Sequence, residues 1–538
     1  MRGRATQILR GARVPWRLGL DALGIALAVA YALPSTAYPF GIDQPIHYYI
    51  GRRLLDGEMP YASGISTKPP GVFLVHAASV LAFGDRQLSI RLVDLLFVLA
   101  TGFLVATFRA HRRLRDGRVV PVQARAPGAI GAACLLAAGL YYTYFDFADT
   151  GHPDLWQGGF MLAPAWMLAR SPDGELGPRR AFVAGALACA AVSFKHVAFI
   201  SGLTVGGALV AVALARRRPR VALRDGALFS AGVFAVLGLV LLAFWVTGTF
   251  DRFWEIMVVH ILSYAEQAQV GEPGPALWLT WRYGLSAVVG AVGLLVAGLA
   301  VAAAGRNRRA RATGVLIALM LAGAAWTVVV QRRVFVDAGF TYHLIVLVPF
   351  LALAAAWGLG QRFGSAPGRS LATAVVLVAV AFWLAPETPH RRTRTYPDEW
   401  ASWWAAVRGE GSWTEHHDAH DFGPLEAYVP LEAVAAHINA RSRPGDTLCV
   451  DGFIAILYQR TGLRCPSRFF ITDMVGDVPA WHDEWWRTID ETPPTFFVTF
   501  PRHPHIRQLE QRGYRASHVR PPRGPGYVVL MKPRPGEG

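Results

Sequence analysis

The sequence predicts a polytopic α-helical membrane protein with a small α/β domain after its last span, and three observations support this prediction. Of its 538 residues, 53% are hydrophobic and only 17% are charged. The apolar residues form runs long enough to cross a hydrocarbon layer of about 30 Å. Arginine-rich segments recur between alternate runs, as cytoplasmic loops do. After residue 386 charges and prolines become frequent, and the apolar runs shorten to strand length.

The arginine-rich segments also predict the topology. An odd number of spans, about eleven, places the N-terminus in the cytoplasm and the chain after residue 386 outside. The first apolar run also looks like a signal peptide, but it continues to Phe40, so we expect it to remain as a span. The arginine-rich segments are residues 2–17, 109–125, 170–180, 216–224, 306–311 and 362–369. The predicted spans are 18–40, 87–108, 127–144, 155–169, 181–194, 197–215, 226–247, 276–303, 312–331, 342–360 and 370–386.

The net charge of +16 would suggest a nucleic-acid partner in a soluble protein. Here the basic residues lie mainly in the short loops that the positive-inside rule assigns to the cytoplasm. We therefore expect contact with membrane lipids and no nucleic acid.

Two domains are predicted, a transmembrane domain over residues 1–386 and an extracytoplasmic α/β domain over 387–538. In the second, LEAVAAHINARSRPGD has helical spacing, and DTLCVDG, TFFVTF and GYVVLMK are strand candidates. The linker contains EWASWWAAVRGEGSW, whose tryptophans favour a helix at the lipid headgroups. It also contains EHHDAHD, residues 415–421, which could bind a metal, although a solvated linker is the more ordinary interpretation.

The first outward loop, residues 41–71, contains Asp43 and Lys68. Asp43 is placed where the head group of a lipid-borne substrate would lie, although it could instead cap the helix that follows. The chain has only three lysines among its 53 basic residues, and Lys68 and Lys195 both lie near the outer side. The compact ammonium of a lysine can bind a phosphate oxygen as a point charge. The simpler explanation for the two lysines is chance, together with the tendency of long basic side chains to reach the membrane interface.

The second outward loop, YYTYFDFADTGHPDLWQ, places Asp146, Asp149, His152 and Asp154 within nine residues. Acids at a membrane boundary indicate function because their burial is costly. Clustered Asp and His could also bind a divalent metal, and one of these acids could simply cap the next helix. We expect no cofactor or metal.

Farther along, Arg332 and Arg333 lie on the outer side, against the positive-inside trend. Tyr342 and His343 follow at the start of the next span. A lipid phosphate is a plausible partner for these cations and for His343, and ordinary headgroup contact is the alternative. The segment VTGTFDRFWEIMVVHILSYAEQAQVGEPG is predicted to cover this region as an interfacial helix.

Several motifs resemble those of the C-type (GT-C) glycosyltransferases, especially the bacterial protein O-mannosyltransferases and lipid A aminoarabinose transferases. They are the early Asp43, the run RRLLDGEMPY...TKPPGVFLVHAASVLAFG followed by RLVDLL, and the later elements TGHPDLW, FKH and TYHLIVLVPF. The similarity covers most of residues 20–386. The chain departs from the protein mannosyltransferases at Gln44, where those enzymes have Glu.

The resemblance implies a GT-C-like fold and an inverting transfer of a hexose or pentose from a polyprenyl-phosphate donor. The acceptor would be a lipid, glycan or protein on the outer face of a bacterial inner membrane. Asp43 then matches the general base, Lys68 the lysine that meets the donor phosphate, and Asp154 the acid of the second loop. Competing interpretations are a transporter or flippase of envelope precursors and a non-catalytic envelope assembly protein.

Cys449 and Cys465 lie in the predicted outer domain, where a disulfide is possible in an oxidising compartment. A β-α-β crossover between them would return the chain beside the first strand. We predict a disulfide, with two unpaired core thiols as an equal alternative.

Overall fold

The structure is a computed structural model, and the fold is helical over most of the chain. The described residues are 13–108, 111–113, 119–121, 126–171, 175–263, 293, 296, 300, 308–330, 341–363, 368–384, 395–418, 420, 428–473, 475–521 and 526–534.

Thirteen helices lie in the described part of residues 1–386. They are α1 Arg13–Ala32, α2 Asp43–Leu55, α3 Gly71–Phe83, α4 Gln87–Thr107, α5 Ala129–Tyr144, α6 Pro153–Arg170, α7 Pro178–Val192, α8 Phe199–Ala215, α9 Pro219–Val246, α10 Phe250–Trp254, α11 Arg308–Val330, α12 Val348–Phe363 and α13 Arg369–Trp383. A short hairpin of β1 (His111–Arg113) and β2 (Val119–Pro121) joins α4 to α5.

Among the residues that the structure describes, five helical segments are long and apolar enough to cross a membrane. Four shorter apolar helices accompany them, and one of these, α3, was not predicted, because its 13 residues are too few for a span. The predicted span 276–303 lies outside the described residues, apart from three helical positions. The count of eleven therefore stays a prediction. The five segments are Leu18–Ala37, Gln87–Thr107, His196–Ala215, Pro219–Val246 and Tyr342–Leu359.

Small residues let the central helices approach closely. In α5, alanines and glycines form much of the buried surface. A Cβ atom added at Gly24 of α1 would lie 2.4 Å from the Cα of Gly131 in α5, so the two backbones touch there. Without a hydrophobic drive between helices in lipid, such close packing is what holds them together. These helices form the frame from which the outer loops project.

The region predicted as an α/β domain contains a four-stranded sheet in the order β3-β4-β6-β5. Strands β3 and β4 are parallel, and the other pairs are antiparallel. All three segments predicted as strands are strands, and LEAVAAHIN forms most of a helix. The strands are β3 Leu448–Val450, β4 Phe496–Thr499, β5 Arg515–Val519 and β6 Tyr527–Met531. The helices after residue 386 are α14 Tyr396–Arg408, α15 Trp413–Asp418, α16 Tyr428–Asn439, α17 Ile456–Thr461, α18 Pro479–Glu491 and α19 Pro504–Gln511.

The sheet region packs directly against the first outward loop and the segment after α10. The N–H of Ile65 donates to the carbonyl oxygen of Arg468 at 3.0 Å, and the N–H of Cys465 donates to the Tyr49 hydroxyl at 3.0 Å. The Arg468 guanidinium, nearly buried, pairs with Glu255 at 3.0 Å and with Glu484 at 2.7 Å. The sheet region is therefore joined to the loop that carries Lys68.

Cys449 and Cys465 lie side by side, as the crossover predicts. The segment containing Arg464 returns parallel to Thr447, next to β3. The two Sγ atoms are 2.7 Å apart, and both residues are buried thiols in this structure. Burial and the neighbouring sulfur raise the pKa of the Cys449 thiol. The disulfide itself stays a prediction.

The tryptophan-rich linker forms α14, as expected for an ordered helix after the last span. Thr395 and Asp398 form a reciprocal capping box that satisfies its first backbone donors. Trp404 on this helix and Trp413 after it are 48% and 44% exposed, which is consistent with contact at lipid headgroups.

We expect the first outward loop and the sheet region to be on the same side of the membrane. Positions 62 and 507 are exposed, whereas all four native cysteines are buried. Ala62→Cys and Arg507→Cys should therefore both react with a membrane-impermeant maleimide added outside intact cells. The wild-type protein, which has only the four native cysteines, gives the background of maleimide labelling. Protection of either introduced cysteine until the cells are permeabilised would contradict this topology.

Candidate active site

Asp43 lies in the first turn of α2, where a negative charge suits the helix dipole. The N-cap position is Ile42, and no side chain caps the helix there, so the capping alternative does not describe Asp43. Its Oδ2 atom instead lies 3.3 Å from Lys68 Nζ and 3.1 Å from His152 Nε2. The Asp43 side chain remains 23% exposed, so a substrate group can reach it.

The second outward loop is held against α2 by Gln44. The amide nitrogen of this side chain, Nε2, donates to the carbonyl oxygens of Ala148 at 2.8 Å and Thr150 at 2.9 Å, and at 3.2 Å to that of Phe147. Its Oε1 accepts from the N–H of Gly41 at 2.8 Å. Gln44 is fully buried, so it satisfies loop carbonyls that have no access to water.

Arg91 of α4 supports the same loop from the other side. Its guanidinium donates to the carbonyl oxygen of Thr150 at 2.6 Å, to the Thr150 hydroxyl at 2.9 Å and to the carbonyl oxygen of Phe147 at 3.1 Å. It also donates to the carbonyl oxygen of Pro39, which precedes α2. Since an arginine offers five donors in a rigid fork, one side chain joins the second outward loop to the segment just before α2.

His152 connects the two carboxylates of the site. Its Nε2 lies 3.1 Å from Asp43 Oδ2, and its Nδ1 lies 2.9 Å from Asp154 Oδ2. A neutral imidazole has a single N–H, so donation to both carboxylates requires the imidazolium form. Asp154 itself is in the first turn of α6 and is 1% exposed. Asp154 therefore positions other side chains and is less accessible to substrate than Asp43.

Lys195, between α7 and α8, neutralises Asp154. Its Nζ donates to Asp154 Oδ1 at 2.8 Å and Oδ2 at 3.1 Å, and to His343 Nδ1 at 2.6 Å. Because an ammonium can only donate, His343 Nδ1 accepts and the neutral ring carries its proton on Nε2. That Nε2 is buried and has no hydrogen-bond partner among the residues that the structure describes.

The ring of Tyr342 lies at the centre of this cluster. Its centroid lies 3.9 Å from that of the His152 ring, with the two ring planes tilted by 31°. Lys68 Nζ and Lys195 Nζ are 5.2 Å and 5.3 Å from its centroid, within the range of cation–π attraction. The Tyr342 ring therefore lies close to both ammonium groups, and each of these pairs with one carboxylate, Lys68 with Asp43 and Lys195 with Asp154.

Burial and neighbouring charges shift the pKa values of the Asp43 carboxyl and the Lys195 ammonium. Burial alone would raise the pKa of the Asp43 carboxyl, but the charge of Lys68 and the hydrogen bond with His152 outweigh it and hold this pKa well below its usual range. Burial lowers the pKa of Lys195 to about 8, with Lys68 adding to the shift and Asp154 opposing it. The site thus keeps Asp43 ionised and makes Lys195 sensitive to mildly alkaline pH.

Most of the residues predicted from the sequence meet in one network. The side chains of Asp43, Lys68, His152, Asp154, Lys195, Tyr342 and His343 are linked by the contacts above. Asp146 instead accepts from the N–H of Ala148, which shapes its own loop, and Asp149 is buried in the same turn. Arg332 and Arg333 lie outside the described residues, so their predicted phosphate contacts stay predictions.

Three residues of the site were missed or misjudged in the sequence. Gln44 was noted only as a departure from Glu, and Arg91 only as part of RLVDLL. His47 was not considered, although it is one helical turn after Asp43 and buried, with its ring 6.0 Å from that of His152. The four-residue spacing from Asp43 was the available signal, because residues i and i+4 share a helix face.

An apolar groove lies beside the Lys195 segment, between α7, α8 and α9. Its volume is about 640 Å³. Val192 and Phe199, on either side of Lys195 in the chain, contribute to it, and Leu203, Phe229 and Phe234 continue the apolar lining. An apolar groove between membrane helices suits the hydrocarbon chain of a lipid.

Comparison with solved structures identifies the fold. The structure of ArnT from Cupriavidus metallidurans bound to undecaprenyl phosphate superposes with a TM-score of 0.59 over 95% of this chain and 98% of that chain, at 15% identity. The chain has the GT-C fold. This confirms the resemblance seen in the sequence. ArnT from the same organism in the apo state gives a TM-score of 0.58 at 16% identity, with the same coverage.

More distant similarity extends to the archaeal oligosaccharyltransferase AglB from Archaeoglobus fulgidus, in complex with an inhibitory peptide and a dolichol-phosphate. The TM-score is 0.41 and the identity 12%, over 90% of this chain and 69% of that chain. No family model matches the sequence. No curated protein matches it either.

We expect Gln44→Glu to destabilise the protein. A carboxylate has no N–H, so it would face the carbonyl oxygens of Ala148 and Thr150 with another acceptor, at a cost of about 1–3 kcal/mol per unsatisfied buried group. The melting temperature of the purified protein in detergent measures the effect. Gln508→Glu, at an exposed position of α19, makes the same chemical change and should leave the melting temperature unchanged. Equal melting temperatures for the two variants would contradict the role of Gln44.

Proposed function

We propose that this protein is an inverting glycosyltransferase that moves a sugar from a polyprenyl-phosphate donor to a hydroxyl acceptor on the outer face of the membrane. The observation that supports this most directly is the partly exposed Asp43 carboxylate 3.3 Å from Lys68, beside a second, buried lysine. A base next to clustered cations is what this transfer needs, because a proton leaves the acceptor while negative charge builds up on the leaving phosphate.

In the proposed reaction Asp43 removes the proton from the acceptor hydroxyl. The acceptor oxygen attacks the anomeric carbon from the face opposite the phosphate, and a new C–O bond forms with inversion. The bond from the anomeric carbon to the phosphate oxygen breaks, and its electron pair stays on the polyprenyl phosphate. The leaving phosphate needs no proton, so a single base and cationic stabilisation suffice.

Lys68 links donor binding to the base. In the free protein it pairs with Asp43, and this contact, at 3.3 Å, is longer than the pair between Lys195 and Asp154 at 2.8 Å. A donor phosphate that draws Lys68 away removes the charge that depresses the pKa of Asp43. Asp43 therefore becomes a stronger base when the donor is in place.

The remaining donor contacts come from Lys195 and His343. Lys195 is held by Asp154 close to Lys68, and the buried His343 Nε2–H can donate to a phosphate oxygen. The apolar groove between α7, α8 and α9 is proposed to hold part of the polyprenyl chain. Arg332 and Arg333 are proposed to contact the same phosphate. The two lysines supply the positive charge for this step, so the proposal includes no metal at this site.

The acceptor class, whether lipid, glycan or protein, is left open by the position of Gln44. This residue makes backbone hydrogen bonds within the protein and is fully buried. Its difference from the Glu of protein mannosyltransferases therefore reflects how the loops are joined, and it does not argue against a protein hydroxyl as the acceptor.

The transporter alternative has less support from the arrangement of charges. All the ionisable residues of the network lie in connections or in the first turns of helices, at Asp43, Lys68, His152, Asp154, Lys195 and His343. Transport sites at mid-membrane are typically formed by interrupted helices that enclose them. An assembly protein without catalysis would not need a carboxylate that is both ionised and accessible.

We expect Asp43→Asn to reduce transfer by about 10²–10⁴-fold, because an amide cannot accept the proton. The assay is mass spectrometry of envelope glycolipids, glycans and glycoproteins from cells that carry the wild type, the variant or no copy of the protein. Asp56→Asn, at the exposed end of the same helix, is the matched control and should retain transfer. Wild-type levels of every sugar-bearing species with Asp43→Asn, or no species that depends on the protein, would overturn the proposed function.

The pH dependence of kcat/KM should be limited on the alkaline side by Lys195. This ammonium loses its charge as the pH rises through about 8, so transfer should fall above that pH. Lys195→Arg, which stays charged, should lower the rate but move the alkaline limit upward. On the acid side the rate should persist well below the usual carboxylate range, because Asp43 stays ionised there. An alkaline limit that is the same in both proteins would exclude Lys195 from donor binding.

A further inference from the structure

A second cluster of ionisable side chains lies in the linker after α13, within the EHHDAHD segment. Glu399 of α14, His416 of α15 and His420 just beyond it are each 1% exposed. One ligand atom from each residue lies within 4.8 Å of the others. The segment is therefore not the solvated linker that its composition suggests, because two of its histidines are buried against a glutamate.

The hydrogen bonds of His420 indicate that a positive charge is required there. Its Nδ1 lies 2.8 Å from the carbonyl oxygen of His416, which can only accept, so Nδ1 carries a proton. Its Nε2 lies 2.8 Å from Glu399 Oε2. In the neutral ring with this tautomer, Nε2 is an acceptor that faces a carboxylate oxygen. A proton or a metal cation must lie between them.

The third residue favours a metal. His416 places its Nδ1 3.0 Å from the Ser402 hydroxyl, and its ring lies 4.8 Å from that of His420. A shared proton needs two partners, whereas here three potential ligands converge. Metal-binding histidines usually have their second nitrogen held by a carbonyl or another polar group, as both rings have here.

We propose that Glu399, His416 and His420 form a zinc site that fixes the linker to the outer loops. Two imidazole nitrogens and one carboxylate oxygen are ligands that zinc accepts at about 2.0–2.2 Å, with water completing a tetrahedron. The three ligand atoms already lie within 4.8 Å of one another. The role is structural, and it is separate from the transfer reaction.

The surroundings of His420 show what the metal would stabilise. Its ring packs on Tyr38 at 5.2 Å and on Phe147 at 5.1 Å, and Phe147 belongs to the second outward loop. The neighbouring His417 Nε2 lies 3.1 Å from the carbonyl oxygen of Ala37, just before the first outward loop. A metal at this point would hold α14 to the segment around α15 and keep the His420 ring against Phe147 of the second outward loop.

Metal analysis of the full-length protein tests the proposal. The protein is purified in detergent with an affinity tag that contains no histidine, equilibrated with buffered Zn²⁺ and analysed by elemental mass spectrometry. We expect about one zinc per chain in the wild type and less than about a tenth of that in His416→Ala and His420→Ala, because three-ligand sites depend on each ligand. Substituted Co²⁺ should give the visible absorption of a tetrahedral site in the wild type only.

Two further variants separate metal binding from folding. Glu399→Gln keeps the side-chain shape, so it should remain folded but gain no thermal stability when Zn²⁺ is added. His505→Ala alters the other histidine and carboxylate cluster of the described chain, Asp451 with His503 and His505, and should retain the zinc. Zinc that persists in His420→Ala, or a wild type that neither takes up Zn²⁺ nor gains stability from it, would overturn the proposal. The latter result would assign a proton between His420 and Glu399.

Discussion

The site depends on how the backbone carbonyls of the second outward loop are satisfied without water. Gln44 and Arg91 donate hydrogen bonds to the carbonyl oxygens of Phe147, Ala148 and Thr150. Because unsatisfied buried carbonyls are costly, these two side chains determine where the loop can lie. The position of His152 follows from that constraint, and His152 in turn connects the carboxylates of two different loops.

The charges of the site are also balanced. Asp43 and Asp154 carry two negative charges, and Lys68 and Lys195 offset them across the face of Tyr342. Buried ions are stable only when they are paired in this way. A phosphate added to such a balanced set must displace an existing partner. The weaker of the two pairs, which includes the more exposed carboxylate, is the one that can separate.

The sequence predicted the class of fold and most of the ionisable residues at the site, because hydropathy and arginine placement depend on local composition. Lys195 and His343 were singled out by position, but their contacts with Asp154 join segments about 40 and 190 residues apart, which no local pattern contains. Gln44 and Arg91 were underestimated for a related reason. A side chain that binds distant backbone carbonyls has no partner side chain in the sequence to reveal its role.

The contacts between the first outward loop and the sheet region have a consequence for biogenesis. The Ile65 N–H and the Tyr49 hydroxyl find their partners at Arg468 and Cys465, some 400 residues later in the chain. During synthesis these groups leave the ribosome long before their partners exist. The loop that carries Lys68 therefore reaches its final arrangement only after the last portion of the polypeptide has been synthesised and has folded. Maturation of the site is a late event in the life of the chain.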